Sequence, residues 1–410
     1  MKKKILYIAI LLLSTGLHAQ TSNEGTLYVS EDTEFSTLER FNNLETGNFF
    51  NDGNTFIYNH FNNDGVIDFY NETGLTQFIG SNPQRISGGN ASYFYNVLFE
   101  NNSENAPFQL SGEINIAGES NFSQGIVDND NYGGNIIFEE KAHHINTSNA
   151  SHVDGYVIHY GTEDFIFPVG DQSFYRFAGT AEIQNTSSIV EAKYYLENSN
   201  EMYSQESRSD IIQVINKNEY WTIENIGETE EAFITLSWSD ETTPPEILAT
   251  PREETIHIVR WDETENRWID EGGIVNSDNQ TVSTMVNNFG IFTLARVDEG
   301  ESLPCQISVY NAVTPNGDGV NDYFSINSES CIENISVEIY NRWGVKVFET
   351  NNYGKQGDLF DGYSRGRLTV NKDEQLPTGT YFYILKFDYE SSTNKLETYK
   401  KAGYLYLNGN

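Results

Sequence analysis

The sequence predicts an all-β protein: an N-terminal β-solenoid or β-helix-like repeat region, then a middle β-sandwich, then a C-terminal β-sandwich. Three observations carry this reading. Aromatic residues make up 13% of the chain, with 33 Gly and only 3 Met, a composition too aromatic for a solvated tail. Short runs rich in β-branched and aromatic residues alternate with Asn, Asp and Gly turn clusters. Helix-like periodicities are few.

The N-terminus is a targeting segment. Met1 and Lys2, Lys3 and Lys4 form a basic start, residues 5–13 an apolar stretch, and Leu17, His18 and Ala19 a cleavage site before Gln20. Residues 1–19 therefore read as a secretory signal peptide, too short and wrongly flanked for a membrane span. No Cys follows the apolar stretch to carry a lipid, and no later stretch approaches transmembrane length. Net charge is −36 for the whole chain, and −39 once the three signal lysines are removed. Residues 305–410 hold ten Lys/Arg and thirteen Asp/Glu, a net of −3, which leaves −36 on residues 20–304. That asymmetry places a boundary near Pro304. A field of this sign disfavours nucleic acid and anionic lipid as partners and suits an exported, soluble chain.

Residues 20–200 form the repeat region. FFNDGNTFIY (49–58) superposes on FNNDGVIDFY (61–70) at a twelve-residue offset, matching Asn51 with Asn63, Asp52 with Asp64 and Gly53 with Gly65. Such turns between aromatic runs mean short strands that stack as coils or reverse as hairpins. NVLFEN (96–101), GEINIAG (112–118) and GNIIFEE (134–140) continue the style, and residues 152–171 close the region. The polar run 198–210 reads as a linker or long loop.

Residues 211–298 predict a second β-unit, with strands at YWTIEN (220–225), AFITLSW (232–238), TIHIVRW (255–261), TVSTMV (281–286) and GIFTLA (290–295). Trp221, Trp238, Trp261 and Trp268 supply sandwich filler.

Residues 305–410 form the last module. TPNGDGVNDYF (314–324) is a Pro-initiated turn running into a strand, with Gly317, Gly319 and Asn321 suited to positive φ. IYNRWGVKVFET (339–350) reads as strand, turn (Asn341, Arg342, Trp343, Gly344), strand. LPTGTYFYILKF (376–387) has a turn at Pro377 and Gly379 before a strand from Tyr381, and KKAGYLYLN (400–408) alternates from Gly403 and Tyr404 as a last strand. These four motifs, in this order, resemble the gliding-motility-associated C-terminal domain of Bacteroidota, the type B sorting domain of type IX secretion. The resemblance implies an Ig-like sandwich that serves as an export address, with Pro315, Asn316, Gly317, Asp318, Gly319, Asn321 and Asp322 opening its motif set. It also implies a translocon and an outer-membrane protein as partners.

Chemistry is sparse. Gly362-Tyr363-Ser364-Arg365-Gly366 matches a nucleophile elbow, but no His follows it, the last being His257. His143, His144, His152 and His159 cluster in sequence with Asp154 nearby, without helical spacing or Cys partners. Structural or surface roles are expected for them. Asn316, Asp318, Asn321 and Asp322 resemble the middle of a calcium loop whose anchoring positions, Thr314 and Ser325, lack carboxylates. A loop-bound Ca2+ stays open beside a plain turn; no other cofactor is expected. Cys305 and Cys331, the chain's two cysteines, share one module of an exported protein and predict a disulfide. Its closure is worth about 3 kcal/mol in the chain-entropy model.

The expected function is a secreted or cell-surface, non-enzymatic cargo, adhesin-like or matrix-forming, that meets an extracellular glycan or another surface ligand. An enzyme acting on extracellular polysaccharide in a β-helix groove is the alternative.

Overall fold

The computed structural model describes residues 20–104, 106–181, 183, 188–227, 231–250, 255–298, 307–328, 333–341, 345–355, 357–364, 375–390 and 396–409. The signal peptide, Cys305, Cys331, Arg342, Trp343 and Gly344 lie outside the described residues. Described secondary structure is all β apart from one 3-10 turn, Ser199–Glu201. No helix among the described residues is long and apolar enough to cross a membrane.

The N-terminal region is a parallel β-solenoid of about seven turns. Each coil contributes one strand to each of three sheets. The first coil is Thr21–Asn23, Thr26–Val29 and Glu34–Thr37, and the next is Phe41–Asn43, Asn48–Asn51 and Asn54–Ile57. Phe41 pairs with Thr21 behind it and with Phe61 ahead, so like strands stack in register. Short strands cannot bury an apolar face alone, and stacking gives every coil a shared interior. Phenylalanines fill it: Phe41 and Phe61 stack at 5.8 Å, Phe78 and Phe99 at 5.9 Å, all almost fully buried.

The corners explain the Asn-Asp-Gly motif. Asn51 Oδ1 accepts from Gly53 N–H and Asn63 Oδ1 from Gly65 N–H, closing tight turns. A Cβ on Gly65 would lie 2.3 Å from the carbonyl oxygens of Gly47 and Leu44, so glycine is required by the close approach of the preceding coil. Asn51 joins the second and third strands of its coil, whereas Asn63 joins the first and second of the next. The twelve-residue offset therefore relates two different corners. The coil itself is longer, about 20 residues between Asn23, Asn43 and Asn63.

The second solenoid sheet does not stop at the last coil. Ile189–Tyr195 pairs antiparallel with Val157–Tyr160, and Tyr220–Asn225 pairs with Ile189–Tyr195, extending one sheet to thirteen strands through the middle unit. A five-stranded sheet that includes Ala178–Ala181, Ala232–Ser237 and Thr281–Val286 covers the other side, and one apolar core runs from Val29 to Leu294. Trp221, Trp238, Trp261 and Trp268 are all buried. The polar run 198–210 is a loop tied to this unit: Tyr203 O accepts from Trp268 Nε1, and Ser209 N–H donates to Trp268 O at 2.9 Å.

The C-terminal module has a five-stranded sheet with Ala312–Val313 at one edge, then Leu396–Leu407, Gly379–Glu390, Glu333–Tyr340 and Lys346–Thr350. Ile307–Tyr310 and Ser325–Ser328 form a separate pair. One face of the large sheet buries Val337, Ile339, Phe348, Leu385, Phe387, Leu405 and Leu407 against Phe324 and Phe360.

Candidate functional site

The turn at 314–322 is ordered by its own carboxylates. Asp322 accepts from Gly317 N–H and Gly319 N–H, one on each oxygen, both at 2.7 Å. Asp318 accepts from Val320 N–H at 2.8 Å and from Asn316 Nδ2 at 3.0 Å, and these bonds hold its carboxyl below the ordinary range. Gly317, Gly319 and Asn321 take the positive φ expected of them, at 79°, 87° and 55°. Among the described residues no group of three or more His, Cys, Asp or Glu side chains is placed to hold a metal. Val320 and Tyr323 beside the turn are exposed.

Two further motifs meet in space. Asn341 Oδ1 accepts from Val345 N–H at 3.0 Å, closing its turn, and the residue lines a cleft with Pro377, Gly379 and Tyr381. Tyr381 Oη donates to Pro377 O at 2.8 Å. Gly403 is opposite Tyr383, and a Cβ there would fall 2.6 Å from that phenol oxygen, so the ring needs the glycine. Tyr404 and Tyr406 stand exposed on the other face of the same strand.

A second constellation, absent from the motif reading, lies on the outer face of the thirteen-stranded sheet. Side chains alternate along a strand, so where Val157, Ala192 and Ile223 point inward, Ile158, Glu191 and Glu224 point outward in one register row. Tyr195 stacks on Tyr220 with ring centroids 4.6 Å apart, and its hydroxyl meets that of Tyr156 at 2.7 Å. Lys193 Nζ sits 4.3 Å over the Tyr195 ring and pairs with Asp130. Tyr93 and Tyr156 remain partly open to solvent, at 44% and 36%. Burial raises the carboxyls of Glu191 and Glu224 above the ordinary range; the charge of Glu224 adds to the first, that of Glu263 to the second. Among the described residues no cation pairs with either. The strand IVEAKYY carries the alternation that signals such a face, but its antiparallel register does not show in sequence.

The histidines are scattered as their strands dictate. His143 and His144 lie on the third solenoid sheet, His159 on the second, and His152 just before the first. His143 faces Glu119 at 3.3 Å on the surface. His144 bonds to Ile166 O, His152 bonds to Ser148 O, and His159 stacks on Phe165 at 4.2 Å. Burial lowers these last three to about 4, so they are neutral at pH 7. Asp154 sits in register with Asp128; burial first, then the Asp171 charge, push it up to about 7. Ser364 is buried and donates to Val347 O at 3.3 Å; Arg365 and Gly366 lie outside the described residues.

The fold is a solenoid and middle unit followed by a small C-terminal sheet module that carries the turn at 314–322. Residues 307–407 match the family model described as the CHU_C Type IX secretion signal domain, so this portion is a type IX sorting signal. The chain is thereby exported to the cell surface or the medium, and it engages the type IX secretion machinery. No curated protein and no solved structure matches the chain.

Proposed function

We propose that the exported cargo is a non-enzymatic, adhesin-like surface protein that binds an extracellular glycan on the outer face of its long sheet. The observation that supports this is the band of tyrosines around Tyr93, Tyr156 and Tyr195, set beside the uncompensated Glu191 and Glu224. Aromatic rings give sugar faces an apolar platform at little entropic cost, and carboxylates accept hydrogen bonds from hydroxyl and amino groups. Delivery is proposed to use an outer-membrane partner beside the translocon. Glycan-array binding of the mature chain, alongside a polysaccharide-degradation screen, tests the reading. Binding that Tyr156→Ala and Tyr93→Ala weaken at least tenfold, with no products released, is the expected result. Oligosaccharide release would favour a polysaccharide-active enzyme, and absence of any binding would overturn the glycan assignment.

A further inference from the structure

Part of the second face of the C-terminal sheet, around Lys400 and Ile384, is covered by the chain's own middle unit, while Tyr404 and Tyr406 at its far end stay exposed. The pairs Lys386 with Lys400, Ile384 with Ala402 and Phe382 with Tyr404 lie along it, beside Glu338 and Tyr340 of the neighbouring strand. Lys400 Nζ stands 3.1 Å from Glu271 Oε2 and also donates to Met285 O; the two side chains are 8% and 10% exposed. Arg260 Nε reaches the other oxygen of Glu271 at 2.9 Å. Lys346 Nζ lies 3.4 Å from Glu231 and 3.0 Å from Glu338. Phe382 meets Phe233 at 6.0 Å, and Met285, Tyr340 and Ile384 are buried together. Beyond these contacts, Ile211, Val259 and Val297 share one apolar core with Val313, Phe387 and Leu407.

Charge is distributed to match. The module that supplies Lys346 and Lys400 is nearly neutral, while the part that supplies Glu231 and Glu271 carries the chain's acidity. An exposed ion pair would add little. A desolvated one is costly to break, because each partner is then buried uncompensated, and it discriminates strongly against a wrong mate.

We propose that the basic and aromatic face of the sorting sheet is a docking surface for the acidic shelf of the middle unit, and that it holds signal and cargo together non-covalently as one particle. The export signal then remains a part of the surface protein even where the connecting segment is cut. The assignment rests on residues 307–407 being the sorting signal and is independent of any glycan.

The test uses the full mature chain with a protease site inserted between Asp298 and Pro304, ahead of Cys305, so that no disulfide can bridge the cut. After cleavage, the wild-type halves are expected to co-elute in size exclusion at micromolar concentration. Lys346→Glu with Phe382→Asp is expected to separate them, and Glu231→Lys added to Lys346→Glu to recover about tenfold of the lost affinity, as a direct charge pair requires. The rescue distinguishes a broken contact from a misfolded module, and near-ultraviolet circular dichroism of the uncut chains checks the fold. Separation of the wild-type halves would overturn the proposal. Co-elution undiminished in the Lys346→Glu, Phe382→Asp chain would overturn it equally, since another surface would then hold the halves.

Discussion

Asn43 donates its side-chain amide to Asn63 Oδ1 at 2.9 Å, and accepts from Asn23 Nδ2 at the same distance, so one polar ladder climbs three coils inside the solenoid. The Asn43 amide also reaches Val66 O at 3.0 Å, and the residue is fully buried. Asn43→Ala leaves several of these groups without partners. It is expected to cost about 1–3 kcal/mol, read from the denaturant midpoint of the mature chain.

Gly65 tests the corner itself. With two carbonyl oxygens 2.3 Å from where a Cβ would sit, Gly65→Ala must push neighbouring coils apart. A loss of about 1–3 kcal/mol is expected in thermal or chemical melts. Gly25 has nothing within 4 Å of its own Cβ position, so Gly25→Ala is the control, expected to stay within about 0.5 kcal/mol.

The buried histidines make the solenoid acid-sensitive. His152 and His159 fall to about 4 in the fold, through burial, from an ordinary value of 6.5. Above pH 6.5 neither state takes up a proton there and stability is unaffected. Between pH 6.5 and about 4 the unfolded chain binds protons that the fold refuses, so stability declines and then levels. Denaturant melts across that window should show the decline, and His159→Phe should flatten part of it.

Asp154 acts with the opposite sign. Its carboxyl, raised to about 7, favours the fold at low pH, and this contribution is lost as pH rises from 3.8 through 7. Asp154→Asn keeps an oxygen to accept from Gln172 N–H and removes the like-charge repulsion. Its melting temperature is expected to rise by about 2 °C or more at pH 8 and to be unchanged at pH 4.

The address is testable by truncation. Leu396–Leu407 pairs along its whole length with Gly379–Glu390, and Leu405 and Leu407 are fully buried. A reporter carrying a signal peptide and residues 305–410 is expected to leave a type IX-competent cell, with co-expression of the cognate outer-membrane partner where needed. A matched reporter ending before Lys400 exposes a strand edge and core aromatics, and is expected to stay periplasmic or be degraded. Fractionation followed by reporter fluorescence distinguishes the two.

Much of the architecture was legible because corners and strands are local. Asn-Asp-Gly turns, the aromatic runs and the four C-terminal motifs each announce themselves within a dozen residues. The coil length was not, since stacked strands are offset by 20 residues from Phe41 to Phe61 and by 25 from Phe61 to Ile86. No fixed period survives such loop variation. The Ile158, Glu191 and Glu224 row was hidden because it depends on antiparallel register between distant strands. Nothing in the run KKAGYLYLN marks Lys400 as buried, since only the packing of one unit on another buries it.

The unbroken sheet between solenoid and middle unit also has a mechanical meaning. A surface protein held at one end and gripped on its flank is under tension, and a loose tether between rigid bodies would yield first. Here Ile189–Tyr195 and Tyr220–Asn225 are laced side by side over six residue pairs, on either side of the loop at 198–210. Because the two strands are antiparallel, Val190 lies opposite Asn225 at the end away from the loop, so a pull along the chain must open all six pairs before the loop can extend. The two units are joined there by a hydrogen-bonded ladder and not by a bare linker.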